Sequence, residues 1–413
     1  MLAYRGGNMK ALQFNVSIPK FILAKSLEPV LGKRVYYNGP FQTVQMVDID
    51  EPALPSPDWV KIKTIFCGFC GSDLNLIMLH DSPSASPFTS MPCVMGHEIV
   101  GEIVSAGSQV NHFSPGDRVV VNPILGCETR GIDPVCPSCQ NGREGGCENF
   151  AEGCLPPGMF IGINSRVPGG FAPFFAAHQS QLYKIPENLG MEAAVLVEPL
   201  AVALQTVFDN MPSLNDKVLV VGGGVIGNLI IQSIKALAPS THVSLVEPSP
   251  FAADLARKVG ADEIVHPKKV FDETRRITHA KMYDPLMGMA FPVGGFDKVY
   301  DTVGNAATLN QSLRVLRAMG TLSIVGIGNP VKLDLTPLWL KLQTVKGVFA
   351  YGKVTYEGKD RHVFDIAMEF LAKNKICADM LVTHQFRIED YREMIEVNLN
   401  KGKHKAVKTV MSF

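Results

Sequence analysis

Val218-Leu219-Val220-Val221 runs directly into Gly222-Gly223-Gly224-Val225-Ile226-Gly227, and then into an apolar stretch, Asn228 to Ala238, with helical periodicity. A bare G-x-G-x-x-G is weak evidence; a strand before it and a helix after it make it a dinucleotide-binding turn. Gly222 allows the tight turn, Gly224 lets the backbone approach a pyrophosphate, and Gly227 permits close packing of helix on strand. Val225 and Ile226 open the helix whose N-terminus faces the phosphates. A second strand ends at Glu247, 25 residues after Gly222, where a carboxylate accepts hydrogen bonds from the adenosine ribose. That carboxylate repels a 2′-phosphate, and Pro248-Ser249-Pro250 bring no arginine, so NAD is expected rather than NADP.

Outward from this turn, between about Leu214 and Gly328, apolar runs (KVLVVGG, HVSLVEP, DEIVHP, DKVYDTVG, GTLSIVGIG) alternate with helical stretches. Strands alternating with helices predict a doubly wound parallel sheet, an α/β class. From Val35 to about Phe150 the pattern is different: short runs (VYYN, TVQMVDI, WVKIKTIF, HEIVGEIVSA, DRVVVNPI) separated by Gly, Pro, Asp and Asn predict a β-rich, barrel-like unit. After about Ala350 come two helical segments, HVFDIAMEFLAKNK and IEDYREMIEVNLNKG, and a closing strand, AVKTVMSF. The stretch up to about Gly32 shows no readable motif, and Met9 is an alternative start.

The chain has 413 residues, enough for two or three domains. Its 39 Lys+Arg balance 39 Asp+Glu, so no net field attracts nucleic-acid phosphates or an anionic membrane. The 46% hydrophobic and 19% charged composition is that of a globular protein, not a disordered one. Nine cysteines cannot all pair internally, and all but Cys377 lie between Cys67 and Cys154, which points to reduced thiols, metal and a cytoplasmic setting. The N-terminus lacks the apolar core of a signal peptide. The apolar run from Val218 is broken by Asn228, Gln232, Ser233 and Lys235 and reads as core, not a membrane span.

Cys136-Pro137-Ser138-Cys139 precedes Cys147 by seven intervening residues, with Gly142 turning the chain between them. Thiolates at this spacing suit a tetrahedral structural zinc, and Cys127, nine residues upstream, is the candidate fourth ligand. A second set is scattered: Cys70 in CGFCGSD, His97 and Glu98 in GHE, and Glu198 in LVEPLAVAL. One thiolate, one imidazole and one carboxylate would leave an open position, as catalytic zinc requires.

The run Gly96-His97-Glu98, Gly101, Gly107, Val110 resembles the signature of zinc-containing alcohol dehydrogenases of the medium-chain dehydrogenase/reductase family, in its polyol, sorbitol and threonine dehydrogenase-like branch. Cys70-Gly71-Ser72-Asp73, Pro115 to Val119, Gly169 to Ala172, Glu198-Pro199-Leu200, the glycine turn and the final strand extend the likeness in order over most of the chain. The resemblance implies a GroES-like catalytic domain over 1–198 with a structural-zinc lobe at about 122–158. A Rossmann NAD-binding domain would follow over 199–349, with a return to the catalytic domain over 350–413 and the active site between the two domains. It implies Cys70 and His97 as catalytic zinc ligands, Glu198 as a ligand directly or through water, and Glu98 as a ligand or near neighbour of the metal. Asp73 would stand behind the ligands, and Cys67 would be a packed thiol. Val325, Gly326 and Ile327 would meet the nicotinamide amide, Lys408 the pyrophosphate, and a dimer or tetramer is implied. Two positions depart from the family. Asp133 stands where the first structural-zinc cysteine is usual, so Cys127 substitutes, Asp133 binds through oxygen, or the metal is lost; the nearby thiolate favours Cys127. Asn75 replaces the histidine that ends the proton relay, leaving water, the ribose or His80 as its end.

The function these features imply is reversible oxidation of a secondary alcohol, polyol or sugar to a ketone or aldehyde, with zinc lowering the hydroxyl pKa, Ser72 taking the proton and NAD⁺ the hydride. The alternatives are an NADP-linked or zinc-free carbonyl or alkene reductase of the same family, and a non-catalytic NAD-binding scaffold. The substrate depends on loops such as 80–90 and 127–157, whose assembly local sequence does not reveal.

Overall fold

The computed structural model describes residues 7–413, which form two compact units. The first comprises Met1–Glu198, Tyr351–Ala372 and Val382–Phe413; the second comprises Pro199–Ala350 and Lys373–Leu381. Residues 373–381, expected from the sequence to belong to the returning segment, cluster with the second unit. The side chain of Gln232 explains why, accepting from the Cys377 amide at 2.7 Å and donating to its carbonyl at 3.4 Å.

The first unit is built on a seven-stranded sheet. Its order is Val382–Phe386, Lys408–Ser412, Trp59–Phe69, Glu98–Ala106, Arg118–Val121 and Leu182–Lys184, and Phe174–His178 also pairs with the long strand Trp59–Phe69. The alternation in this long strand is that of a half-buried sheet: Val60 and Ile62 point into the core and Lys63 toward solvent. Trp59, Phe69, Phe171 and Phe175 fill the core of this unit. Register then does the positioning. Gly68 faces Glu98 on one side and Thr409 faces Phe69 on the other, so Cys70, Glu98 and Lys408 gather at one end of three adjacent strands.

Two local expectations fail in this unit. The run VYYN is not a strand; Lys33–Tyr36 is a short 3₁₀ helix with Tyr36 and Tyr37 packed inward. A four-residue apolar run carries no period that separates strand from helix. The stretch before Gly32 also has structure. Asn8–Phe14 pairs antiparallel with Val44–Asp50 over its whole length, and Ile18–Leu31 is a helix with Ser17 as N-cap. That helix buries only Ala24 and leaves Ile18, Ile22 and Val30 exposed, so no amphipathic stripe marks it in the sequence.

The second unit is a parallel six-stranded sheet ordered Glu263–Val265, His242–Val246, Lys217–Val221, Phe296–Asp301, Leu316–Ile324, Thr344–Gly347. The order reverses between Lys217–Val221 and Phe296–Asp301, which is where doubly wound sheets bind ligands. Gly222 leaves the first of these strands with φ +97°, a left-handed conformation that side chains resist. A Cβ at Gly227 would lie 1.9 Å from the Gly222 carbonyl oxygen, so helix Val225–Leu237 packs against the turn only because that atom is missing. Gly227→Ala should therefore lower stability by about 1–3 kcal/mol. Denaturant unfolding followed by circular dichroism would measure this, and an unchanged midpoint would contradict the close packing.

Candidate active site and metal centres

Strand Trp59–Phe69 delivers Cys70 as the N-cap of helix Gly71–Ile77, where the Cys70 amide donates to Asp73 Oδ2 at 2.9 Å. The next strand delivers His97 and Glu98, and Gly96 makes this possible. It has φ +93°, and a Cβ there would fall 2.8 Å from both Cys67 Sγ and the Phe171 amide nitrogen. One ligand atom each from Cys70, His97 and Glu98 lies within 4.8 Å of the others. Glu198, in the first turn of helix Val197–Asp209, is not one of these three.

Imidazole, thiol and carboxylate at this separation suit a zinc ion with one open position. His97 Nδ1 sits 3.5 Å from Asp73 Oδ1, which favours a proton on Nδ1 and leaves the Nε2 lone pair for a metal. Burial disfavours the imidazolium, but Asp73 and Cys70 outweigh it and hold the His97 pKa well above its ordinary value. Ser72 Oγ, on the exposed side, lies 3.4 Å from His97 Nε2, within reach of anything bound there. Cys67, fully buried, has its thiol pushed well up by burial and acts as packing. The His80 amide donates to the Asn75 carbonyl at 2.8 Å, which ties the residue where the relay departs from the family to one of the candidate ends of the relay.

Lys408 corrects an expectation. Read from sequence as a pyrophosphate contact, its ammonium is buried and donates to Glu98 Oε1 at 2.6 Å, to Glu98 Oε2 and to the Phe69 carbonyl at 3.3 Å. All three of its protons are engaged, a consequence of the register that seats the last strand beside Phe69. Glu198, half-buried, has its carboxyl raised to about 7, first by enclosure in protein and then by the Glu98 charge.

The lobe following Arg118–Val121 brings Cys127, Cys136, Cys139 and Cys147 together with their sulfurs within 4.8 Å of one another. Cys127 Sγ is 3.6 Å and Cys136 Sγ 4.0 Å from Cys147 Sγ. A zinc–sulfur bond of about 2.3 Å in a tetrahedron sets sulfurs about 3.8 Å apart, whereas a disulfide requires about 2.05 Å. The fit is to a metal. Amides of Cys136 and Asn149 and the Asn149 side chain donate to these sulfurs at 3.2–3.3 Å, as thiolates require. Asp133 is exposed and outside the set.

Arg130 is the functional residue that sequence reasoning missed. Fully buried, it donates to the carbonyls of Leu125, Glu152, Leu155, Pro156 and Gly158 at 2.6–3.1 Å, tying the loop carrying Cys127 to the end of the lobe. An isolated arginine in GCETRGIDPVC gives no local signal of this.

In the second unit, Gly224 caps helix Val225–Leu237 without a side chain, leaving the first-turn amides free, and nothing lies within 4 Å of where its Cβ would be. Glu247 Oε2 accepts from the Gly223 amide at 2.7 Å, and its other oxygen accepts from Ser249. Val325 and Gly326 follow strand Leu316–Ile324 and donate to the Asp301 carbonyl, at the neighbouring strand's end; Ile327 is exposed. This open glycine cradle and its carboxylate fit a dinucleotide.

Residues 56–187 match the family model described as "Alcohol dehydrogenase GroES-like domain", and residues 225–373 that described as "Zinc-binding dehydrogenase". The chain is 31% identical to an (R,R)-butanediol dehydrogenase of Bacillus subtilis (strain 168), covering 85% of this chain and 91% of that one. It is 27% identical to a sorbitol dehydrogenase of the same organism over 84% and 90%. Among solved structures, the 2R,3R-butanediol dehydrogenase from Bacillus subtilis superimposes with a TM-score of 0.72 at 27% identity, covering 98% of this chain and 99% of that one. The chain therefore belongs to the zinc-containing alcohol dehydrogenases of the medium-chain dehydrogenase/reductase family. It is an oxidoreductase acting on alcohols. Among the described residues no helix is long and apolar enough to cross a membrane.

Cys127→Ala should lower zinc content by one per chain and destabilise the lobe, whereas Asp133→Ala should leave both unchanged. Atomic absorption and thermal unfolding would decide; zinc lost with Asp133→Ala would reassign the fourth ligand.

Proposed function

We propose that this protein is a zinc-dependent, NAD-linked dehydrogenase of secondary alcohols of the diol or polyol type. The observation that carries the reading is the convergence of Cys70, His97 and Glu98 within 4.8 Å, with the Ser72 hydroxyl exposed beside His97. The relatives named as butanediol and sorbitol dehydrogenases support a substrate of this class.

Cys70, His97 and Glu98 would hold a zinc ion, which supplies Lewis-acid polarisation of the substrate oxygen. Gly222, Gly224 and Gly227 would hold the dinucleotide, which would supply the hydride acceptor. The rest is done by the chain itself. Asp73 keeps His97 turned with Nε2 toward the site. Lys408 offsets the Glu98 charge, so that an ion at the set faces one uncompensated thiolate. Ser72 Oγ accepts the proton of the alcohol hydroxyl and passes it on toward solvent. Glu247 supports NAD over NADP, because a carboxylate at the end of the second strand repels a 2′-phosphate and Pro248-Ser249-Pro250 bring no arginine. The nine free cysteines fit a reducing, cytoplasmic setting, and the family resemblance supports a homodimer or homotetramer.

The test is metal content together with turnover. Wild type should carry two zincs and reduce NAD⁺ with diols or polyols, and Cys70→Ala should lose one zinc and all activity. A zinc-free protein that still reduces carbonyls would replace this reading with a zinc-free reductase. Ser72→Ala should lower kcat by about 10²-fold or more with zinc retained. Glu247→Ser should raise kcat/KM for NADP⁺ relative to NAD⁺; an unchanged ratio would remove Glu247 from cofactor selection.

A further inference from the structure

In the second unit the strand Phe296–Asp301 ends on a buried carboxylate without a counter-charge. Asp301 is 0% exposed, stands opposite Val221 and Ile324 in the sheet register, and has no ion-pair partner among the described residues. Dipoles alone hold it. Oδ1 accepts from the amides of Val303 and Gly304, both at 2.9 Å, and from the Thr308 hydroxyl at 3.3 Å, and Oδ2 accepts from the Ser312 hydroxyl at 3.2 Å. A side chain that only accepts behaves as an ionised carboxylate. Burying such a charge without a cation is costly, and an asparagine would hold the same two amides. The turn therefore explains the hydrogen bonds but not the charge.

The place of the charge supplies a reason for it. Thr302, the next residue, donates its hydroxyl to the carbonyls of Val221 at 2.8 Å and Gly222 at 3.3 Å, and a Cβ on Gly222 would lie 2.7 Å from Val303 Cγ2. The loop that covers the Asp301 carboxylate is thus one wall of the glycine turn. Doubly wound sheets take the two halves of a dinucleotide on the two sides of the point where the strand order reverses. Glu247, which accepts adenosine in this reading, follows strand His242–Val246 on one side; Phe296–Asp301 is the first strand on the other. The second nucleoside therefore falls to the side of Asp301. In a nicotinamide dinucleotide its ring is a cation when oxidised and neutral when reduced.

We propose that the buried charge of Asp301 discriminates between the two oxidation states of the cofactor, favouring the cationic ring of NAD⁺ over the neutral ring of NADH. The proposal rests on the dinucleotide reading of this unit and adds to it a residue that sets which form of the cofactor is held more tightly. Asp301 acts through its field, across the loop 302–304, where low dielectric lets a unit charge be felt beyond contact distance. It is a specificity-determining residue; no proton or hydride passes through it.

The test is Asp301→Asn in the full-length protein, with dissociation constants for NAD⁺, NADH and ADP-ribose measured by isothermal titration calorimetry. Asparagine keeps the oxygen that accepts from Val303 and Gly304, and the Ser312 hydroxyl can turn to accept from its amide, so the loop keeps its bonds. The Kd of NAD⁺ relative to that of NADH should rise about 10-fold. Affinity for ADP-ribose, which has the pyrophosphate but no nicotinamide, should hold or rise, because a negative charge near its phosphates has gone. Equal losses on all three ligands would make Asp301 a support of the loop and overturn the proposal, as would an unchanged ratio. Should Asp301→Asn not fold, Thr308→Lys sets an ammonium against the same Oδ1 from a partly exposed position and should move the ratio in the same direction; an unmoved ratio there counts equally against the charge. Wild type that binds none of the three ligands would bring down the dinucleotide reading and this inference with it, whereas wild type that binds them, with a ratio unmoved by the substitution, would bring down the inference alone.

Discussion

A carboxylate and an ammonium, Glu98 and Lys408, face each other inside the first unit with side chains 1% exposed, and the active end of the sheet is arranged around them. Burying either charge alone would be prohibitive, and removing one partner of such a pair commonly destabilises by about 3–5 kcal/mol. Each therefore requires the other, and with it the register that sets Gly68 opposite Glu98 and Phe69 opposite Thr409. Cys70 follows directly from that register, as the residue after Phe69. The pair thus links the position of the proposed metal ligands to the pairing of the last strand of the chain.

The lobe with four cysteines solves the same problem differently. Its guanidinium has no carboxylate partner; Arg130 is surrounded by carbonyl oxygens, and burial lowers its pKa while the thiols of Cys147, Cys154 and Cys127 work in the other direction. The positive charge stays near sulfurs that are anionic once a metal is bound. The bonds of Arg130 to carbonyls on both sides hold the loop that carries Cys127 against the end of the lobe.

What was legible in the sequence follows the range of the interactions involved. The glycine turn, its flanking strand and helix, and Glu247 form one local unit, so residues 218–247 predict their own geometry. The cysteine spacing is similarly local. Glu98 with Lys408 is not, because only a strand pairing relates residues separated by 310 positions; resemblance alone suggested Lys408, and for a different contact. Arg130 sits in a stretch with no pattern, and its role arises from what surrounds it in space. The N-terminal helix was hidden for the opposite reason, since its apolar residues face outward.

The discontinuity of the first unit bears on how the molecule is made. Glu98 and the strand that carries it are synthesised more than three hundred residues before the lysine that neutralises it, and the whole second unit intervenes. Domains tend to fold as units during synthesis, so on the ribosome the parallel sheet can close while its sequence-earlier neighbour still holds an unmatched carboxylate. For that interval the first unit is a nascent chain awaiting its last strand, the kind of long-range closure that slows folding.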